Sequence, residues 1–189
     1  MSNADITKHV IAEGIKEMMQ TIPLSHISVG DISNHCKVSR NTFYYHFQDK
    51  FDLINWIFYT EITPIISDIV NINCWSHGLY ELCSYLQKNK KFYINALSVE
   101  GQNSFSQCLM EFYESLIQNM LREINYNSTL SNFEIELTAR FYSHSLVGII
   151  LDWAKNGMDP DPAPYVDIIE KLINGSIFQQ AVKLRNSQN

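Results

Sequence analysis

Apolar side chains recur along most of the chain at steps of three and four residues, the spacing of a helix with one buried face. The first helix should end at Pro23, because proline has no amide proton to donate to the preceding turn. Its predicted inward face consists of six apolar residues: Ile6, Val10, Ile15, Met18, Met19 and Ile22. Nowhere do apolar and polar residues alternate as they would in a half-exposed strand. The pattern therefore predicts an all-α protein of about nine helices.

Two short helices joined by a tight turn are predicted next. Ser28 and Asp31 have the spacing of a capping box, which begins a helix. Residues 36–39 interrupt that helix, and the serine at their end can cap another one. In the second short helix Phe43 and Phe47 lie one turn apart on the same side. Two short helices with a four-residue turn describe a helix-turn-helix.

Longer amphipathic stretches make up the rest of the chain. Asp49 and Lys50 begin a fourth helix, which we expect Pro64 to kink or divide. Five further helices are predicted at residues 75–88, 91–99, 103–125, 131–155 and 162–185. We predict a helix-turn-helix domain over residues 5–50 and a larger helical regulatory and dimerisation domain over residues 51–189.

The outward side of the third helix is polar at every position. It carries Arg40, Asn41, Thr42, Tyr44, Tyr45 and His46. Arginine can bind guanine edges and asparagine can bind adenine, whereas tyrosine and histidine can bond phosphate oxygens. Lys50 follows in the first turn of the next helix, where backbone amides already favour an anion such as a phosphate. This pattern favours DNA binding, and the alternative is an ordinary polar helix with its connector.

The net charge of −6 does not attract DNA as a whole, so any contact depends on a local basic patch. Between Lys37 and Lys50 there are three cations, Arg40 among them, against the single acid Asp49. In a dimer these three cations become six, which could neutralise about six phosphates. The affinity for DNA should then fall roughly a thousandfold between about 50 and 200 mM salt.

Residues 28–54, SVGDISNHCKVSRNTFYYHFQDKFDLI, resemble the DNA-binding signature of the TetR family. The resemblance implies that Arg40, Asn41, Thr42, Tyr45 and His46 lie near bases and that Tyr44 and Lys50 lie on phosphates. Ser28, Gly30, Lys37 and Ser39 complete the predicted DNA-binding set. Lys37 stands where the family usually has glycine, and a positive φ there would cost a lysine about 1 kcal/mol.

The family resemblance also implies a C-terminal part that dimerises through its last two helices and often encloses a ligand pocket. Candidate pocket residues are Tyr80, Tyr93, Phe105, Tyr113, Tyr142 and His144. Candidate dimer residues are Leu146, Ile150, Trp153, Ile169, Ile173 and Ile177. For both sets the alternative is burial inside one subunit, and His144 is expected to be an interior histidine with its hydrogen bonds satisfied.

No enzyme, metal or cofactor site is expected. The four cysteines, Cys36, Cys74, Cys83 and Cys108, fit neither a zinc site nor a disulfide framework, and buried reduced thiols are expected instead. No apolar run is long enough to cross a membrane, and we expect a cytoplasmic protein. Adjacent Ser-His pairs do not make a catalytic triad.

We expect a homodimeric, effector-responsive repressor that binds a double-stranded DNA operator. Residues 75–105 also resemble a subgroup of the family found with dihydroxyacetone-kinase regulators. That resemblance implies an alternative, an activator or co-regulator controlled by a kinase-like protein partner. A third reading is a helical ligand-binding protein that does not bind DNA.

Overall fold

The computed structural model describes residues 3–66, 75–125 and 130–175, and these residues form nine α-helices and no strand. The helices are α1 Asn3–Met18, α2 Val29–His35, α3 Arg40–His46, α4 Lys50–Ile66, α5 Trp75–Lys88, α6 Lys90–Leu97, α7 Phe105–Ile124, α8 Asn132–Lys155 and α9 Pro162–Ile173. A 3₁₀ turn, Leu24–His26, lies between α1 and α2. The predicted all-α class is confirmed.

Capping motifs in the sequence correctly predicted where α2 and α8 begin. The capping box predicted at Ser28 is present at the start of α2, and Ser131 makes the same motif with Glu134 at the start of α8. Pro64 does not divide α4, which continues to Ile66. The predicted end of the last helix, together with Ile177 and Cys74, lies outside the described residues.

The inward face of α1 differs from the prediction. Ile11 and Ile15 are fully buried, whereas Ile6 and Val10 are about half exposed. One turn before Ile11 the buried side of the helix carries Lys8, whose ammonium lies 5.6 Å from the ring centre of Trp56. The sequence pattern was misleading because a long polar residue covers this end of the core.

The buried core is continuous from the helix-turn-helix to α9. Phe43 and Phe47 anchor α3 in it, with 0% and 2% of their surfaces exposed. The long helices α7 and α8 pack against each other over much of their length. Among the described residues no helix has both the length and the apolar character needed to cross a bilayer.

Two cysteines belong to this core, as predicted. Cys83 and Cys108 are buried. Burial raises the pKa of the Cys83 thiol to about 12 and that of the Cys108 thiol to about 11. Both therefore remain neutral thiols near pH 7, where they act as small apolar side chains.

Candidate nucleic-acid interface

The exposed side of α3 presents the polar residues that the sequence predicted. Tyr45 is 81% exposed and Tyr44 56%, and Arg40 and Asn41 are also exposed. Thr42 and His46 are partly exposed at the edge of the same surface. These six side chains surround the part of α3 that is not buried, because Phe43 turns the remaining side of the helix into the core.

The start of α3 is fixed by a side-chain cap. The Ser39 hydroxyl accepts a hydrogen bond from the Thr42 amide at 3.0 Å, and the two hydroxyl oxygens lie 2.8 Å apart. At the start of α2, the Ser28 hydroxyl accepts a hydrogen bond from the Asp31 amide at 3.2 Å, and the Asp31 carboxylate accepts one from the Ser28 amide at 2.9 Å. Both serines therefore act as helix caps in this structure, and their predicted DNA contacts stay a prediction.

The turn between α2 and α3 contains a strained lysine. Lys37 has a φ of 54°, in the left-handed region that favours glycine. The turn closes through a hydrogen bond from the Val38 amide to the Ser33 carbonyl, at 2.9 Å. Lys37 is exposed on this turn. Its side chain makes the left-handed backbone conformation less favourable, but it also adds a cation beside α3.

Replacing this lysine should separate its two effects. We expect Lys37→Gly to raise the free energy of unfolding by up to about 1 kcal/mol, because glycine adopts the left-handed conformation without strain. The same change should lower the salt dependence of duplex binding. The control is Lys37→Gln, which removes the charge but keeps the strain. Urea titration of both variants would contradict this account if Lys37→Gln were as stable as Lys37→Gly.

The Lys50 side chain, which the sequence predicted to lie on a phosphate, hydrogen-bonds to the protein's own backbone. Its ammonium donates hydrogen bonds to the carbonyl oxygens of Leu24 and Ile27, both at 2.7 Å. Burial against these groups lowers the pKa of Lys50, although Asp49 opposes that change. The ammonium therefore holds the loop before α2, and the sequence alone gave no sign of these partners more than twenty residues away.

Asn95, in α6, holds the same loop from the other side. Its carbonyl oxygen accepts from the Leu24 amide at 2.7 Å. Its amide nitrogen donates to the Ile22 carbonyl at 2.7 Å and to the Met19 carbonyl at 3.1 Å. The side chain thereby satisfies three backbone groups of the α1–α2 connection. Sequence reasoning missed Asn95, because the residues it joins are more than seventy positions apart.

A second polar contact ties α1 to the C-terminal helices. The Glu61 carboxylate of α4 pairs with the Lys16 ammonium of α1 and accepts from the Tyr85 hydroxyl of α5. Tyr93 of α6 in turn donates to the Tyr85 oxygen at 3.2 Å. Burial alone would lower the pKa of Lys16, but the carboxylates of Glu61 and Glu13 together more than compensate, and the pKa is raised. The helix-turn-helix is thus fixed to α5 and α6 through polar groups.

The candidate pocket residues do not converge on one cavity. Tyr93 and Phe105 lie in the core, Tyr80 and Tyr142 are only partly buried, and His144 is exposed. The Nδ1 atom of His144 lies 2.8 Å from the Arg140 carbonyl oxygen of its own helix. The expectation of an interior histidine was wrong, since this side of α8 faces outward in the subunit.

An apolar cavity of about 70 Å³ does lie between α5, α7 and α8. Of the six candidates, Tyr113 alone lines it, beside residues such as Trp75, Phe112 and Met120. The Tyr113 hydroxyl is buried and has no hydrogen-bond partner. Engineered apolar cavities that bind benzene are about twice this size.

The candidate dimer residues are largely internal, which corrects the prediction. Leu146, Ile150, Trp153 and Ile169 are all less than 9% exposed within a single subunit, and Ile173 is partly buried. The Trp153 indole also donates to the Pro160 carbonyl at 3.0 Å. α8 has two apolar sides, and its three candidate residues, Leu146, Ile150 and Trp153, lie on the inner one.

The outer side of α8 carries a stripe of exposed apolar residues at four-residue steps. Phe133, Leu137 and Phe141 are 70%, 54% and 65% exposed, and we call them the α8 stripe. α9 adds three more exposed apolar residues: Tyr165, Ile168 and Leu172. Exposed apolar rows of this kind usually contact another molecule.

Two family models match the chain. A model of bacterial regulatory proteins of the tetR family matches residues 11–56, which contain α2 and α3. A model of a transcriptional regulator C-terminal region matches residues 73–175, more than half of the chain.

One curated relative is DhaS, an HTH-type transcriptional activator of the dhaKLM operon of Lactococcus lactis subsp. lactis. It is 31% identical over 121 residues, which span 64% of this chain and 64% of the relative. A solved structure of a dihydroxyacetone kinase operon activator DhaS has a TM-score of 0.64 and 25% identity, covering 91% of this chain and 96% of that one.

Two more distant structures share the fold. NalD of Pseudomonas aeruginosa, the secondary repressor of a multidrug efflux pump, has a TM-score of 0.56 at 18% identity, covering 92% of this chain and 98% of that one. The fatty acid degradation regulator FadR of Bacillus halodurans has a TM-score of 0.60 at 15% identity, with coverages of 89% and 95%.

The N-terminal family model covers the helix-turn-helix, and the C-terminal model covers α5 to α9. These matches agree with the outward polar face of α3 and with the all-helical fold. The chain belongs to the TetR family of bacterial DNA-binding transcriptional regulators.

Proposed function

We propose that this regulator is a homodimer whose two α3 helices enter successive major grooves of an operator, about 34 Å apart. The observation that supports this most directly is the outward polar face of α3, with Tyr45 81% exposed and the phenylalanines behind it buried. Arg40 and Asn41 stand at the first turn of α3, the part of a recognition helix that meets base edges.

Of the three cations predicted near the groove, two are exposed for direct phosphate contact. Lys37 and Arg40 are exposed, whereas the Lys50 ammonium is bonded to two carbonyl groups. Two cations in each subunit give about four in the dimer, so affinity should fall roughly a hundredfold between about 50 and 200 mM salt. In this proposal Tyr44 and His46 add hydrogen bonds to phosphate oxygens.

Removing the arginine should relax sequence preference. We expect Arg40→Ala to lower discrimination at one base pair of each half-site by about tenfold or more, because a bidentate contact to guanine is lost. The preferred duplex would first be obtained by in vitro selection with the wild-type chain. The control is Lys155→Ala, which removes an exposed cation outside the helix-turn-helix. Unchanged discrimination would mean that Arg40 does not read bases.

The dimer in this proposal forms through the outer faces of α8 and α9. Support comes from the exposed α8 stripe and from Gly148, where an added Cβ would have no neighbour within 4 Å. A partner helix could therefore approach α8 closely at this position.

A duplex-binding measurement at low salt tests the third reading, a helical ligand-binding protein that does not bind DNA. Retention of duplex by the wild-type chain would exclude that reading.

The size of the cavity bears on the signal that controls the regulator. Pockets for drug-sized ligands usually measure about 300–1,000 Å³, whereas the apolar cavity here measures about 70 Å³. This supports the second candidate, an activator or co-regulator whose effector is a protein such as a dihydroxyacetone-kinase-like subunit. A purified subunit of that kind should change duplex affinity under this candidate. An effector-responsive repressor would respond to a small molecule instead.

A further inference from the structure

Gly30, the second residue of α2, lies directly under the Arg40 side chain. An ideal Cβ built at Gly30 would lie 2.5 Å from Nη2 of Arg40, 3.1 Å from Cζ and 3.2 Å from Nε. The guanidinium group therefore rests on the backbone of α2, in space that any other residue would fill. Gly30 is buried and lies within a regular helical segment, so the lack of a side chain matters here for space.

A neighbouring charge strengthens this placement. Asp31 follows Gly30 in α2, and its pKa is lowered mainly by hydrogen bonds from Ser28, with a further contribution from the charge of Arg40. The guanidinium thus rests on a glycine beside a carboxylate. An arginine that is already restricted before binding loses less side-chain entropy when it contacts a base edge.

We propose that Gly30 is a positioning residue for DNA reading: it provides the seat that holds the Arg40 guanidinium at the junction of α2 and α3. The inference rests on the proposed function, in which α3 enters the major groove. Under it, base discrimination by Arg40 depends on a glycine that belongs to another helix.

A methyl group at position 30 would displace the arginine and leave the fold intact. Contacts of 2.5 Å cannot persist, but the atoms involved are at the end of a long, flexible side chain that can move away. Alanine is also a better helix former than glycine. Gly30→Ala should therefore keep or raise the melting temperature while changing the position of Arg40, a combination that a purely structural role would not produce.

The first test measures Arg40 in the DNA-free protein. The chain contains four arginines, so few Nε–H signals appear in a ¹⁵N NMR spectrum, and Arg40→Ala identifies the one from Arg40. We expect the order parameter of this Nε–H vector to fall clearly in Gly30→Ala. It should stay at the wild-type value in Asn34→Ala, which places alanine at an exposed position of the same helix. An unchanged order parameter in Gly30→Ala would show that Gly30 does not position the Arg40 side chain.

The second test measures base discrimination in full-length protein with the selected duplex and its single-base-pair variants. We expect Gly30→Ala to lose about tenfold at the base pair that depends on Arg40, with an unchanged salt slope. In an Arg40→Ala background the glycine substitution should have no additional effect.

Each failure has a distinct signature. If Gly30→Ala discriminates like the wild type, or if the two substitutions reduce discrimination independently, the inference about Gly30 is wrong and the proposed function stands. If the wild-type chain prefers no duplex over random DNA at low salt, the proposed function fails, and the role of Gly30 fails with it.

Discussion

Asn95→Ala is expected to lower the free energy of unfolding by about 3 kcal/mol, because three backbone groups would lose their partner at once. These groups are the Leu24 amide and the Met19 and Ile22 carbonyls, all within 3.1 Å of the Asn95 side chain. An intramolecular hydrogen bond contributes about 1 kcal/mol, and a buried group left unsatisfied costs more. Urea unfolding of the full chain measures this loss.

Asn55→Ala provides a matched control for this substitution. Asn55 makes one long hydrogen bond, 3.4 Å to the Asn103 carbonyl, and its own carbonyl oxygen is buried without a partner. Its replacement should therefore change stability by less than about 1 kcal/mol. If Asn95→Ala were equally mild, the α1–α2 connection would not depend on this side chain.

Asn95→Ala should also weaken duplex binding. The connection that Asn95 holds leads directly into Ser28 and α2, and Lys50 bonds the Leu24 carbonyl of the same segment. Without the Asn95 side chain, the α1–α2 connection loses one of its two attachments and keeps only Lys50. We therefore expect α2 to sample more orientations relative to the C-terminal helices. We expect hydrogen exchange of residues 19–27 to increase while α7 and α8 keep their protection.

The residues that the sequence predicted correctly are those whose partners are close along the chain. Ser28 and Asp31 are three positions apart, and Phe43 and Phe47 are four apart, so spacing alone revealed both the cap and the buried side of α3. Even the strain at Lys37 could be anticipated, because the family signature has glycine there.

The residues that could not be predicted have distant partners. Lys50 is a cation at a helix start, a pattern that suggests phosphate binding, and only the fold brings the Leu24 carbonyl within reach. Asn95 is an ordinary polar residue in a short helix until the α1–α2 connection packs against it. Likewise, nothing in the spacing of Gly30 and Arg40 reveals that one rests on the other.

The proposed dimer surface shows a different limit of pattern reading. α8 is apolar on two sides, so periodicity cannot tell which side faces the subunit's own core. Leu146 and Ile150 lie on the inner side, whereas Leu137 and Phe141 are more than half exposed. The packing of α7 against α8 decides between the two sides, and that information is tertiary.

Acidic residues in the α8 stripe are accordingly expected to abolish the dimer. In the double variant Leu137→Glu and Phe141→Glu, two carboxylates from each subunit would be buried at an interface related by twofold symmetry. Burying unpaired charges costs several kcal/mol, more than a moderate interface can supply. Sedimentation equilibrium should then give the mass of a single chain, about 22 kDa, whereas the wild type should give twice that mass.

Loss of the dimer should remove most of the duplex affinity, because a monomer contacts one half-site and forfeits the second. We expect a drop of a hundredfold or more at constant salt, consistent with the effective concentration that linkage provides. Val10→Glu is the control for the mass measurement, since it places an acid at another apolar position that is 46% exposed. A double variant that remains dimeric would move the interface away from the α8 stripe. A monomeric wild type that binds its selected duplex tightly would contradict the dimer itself.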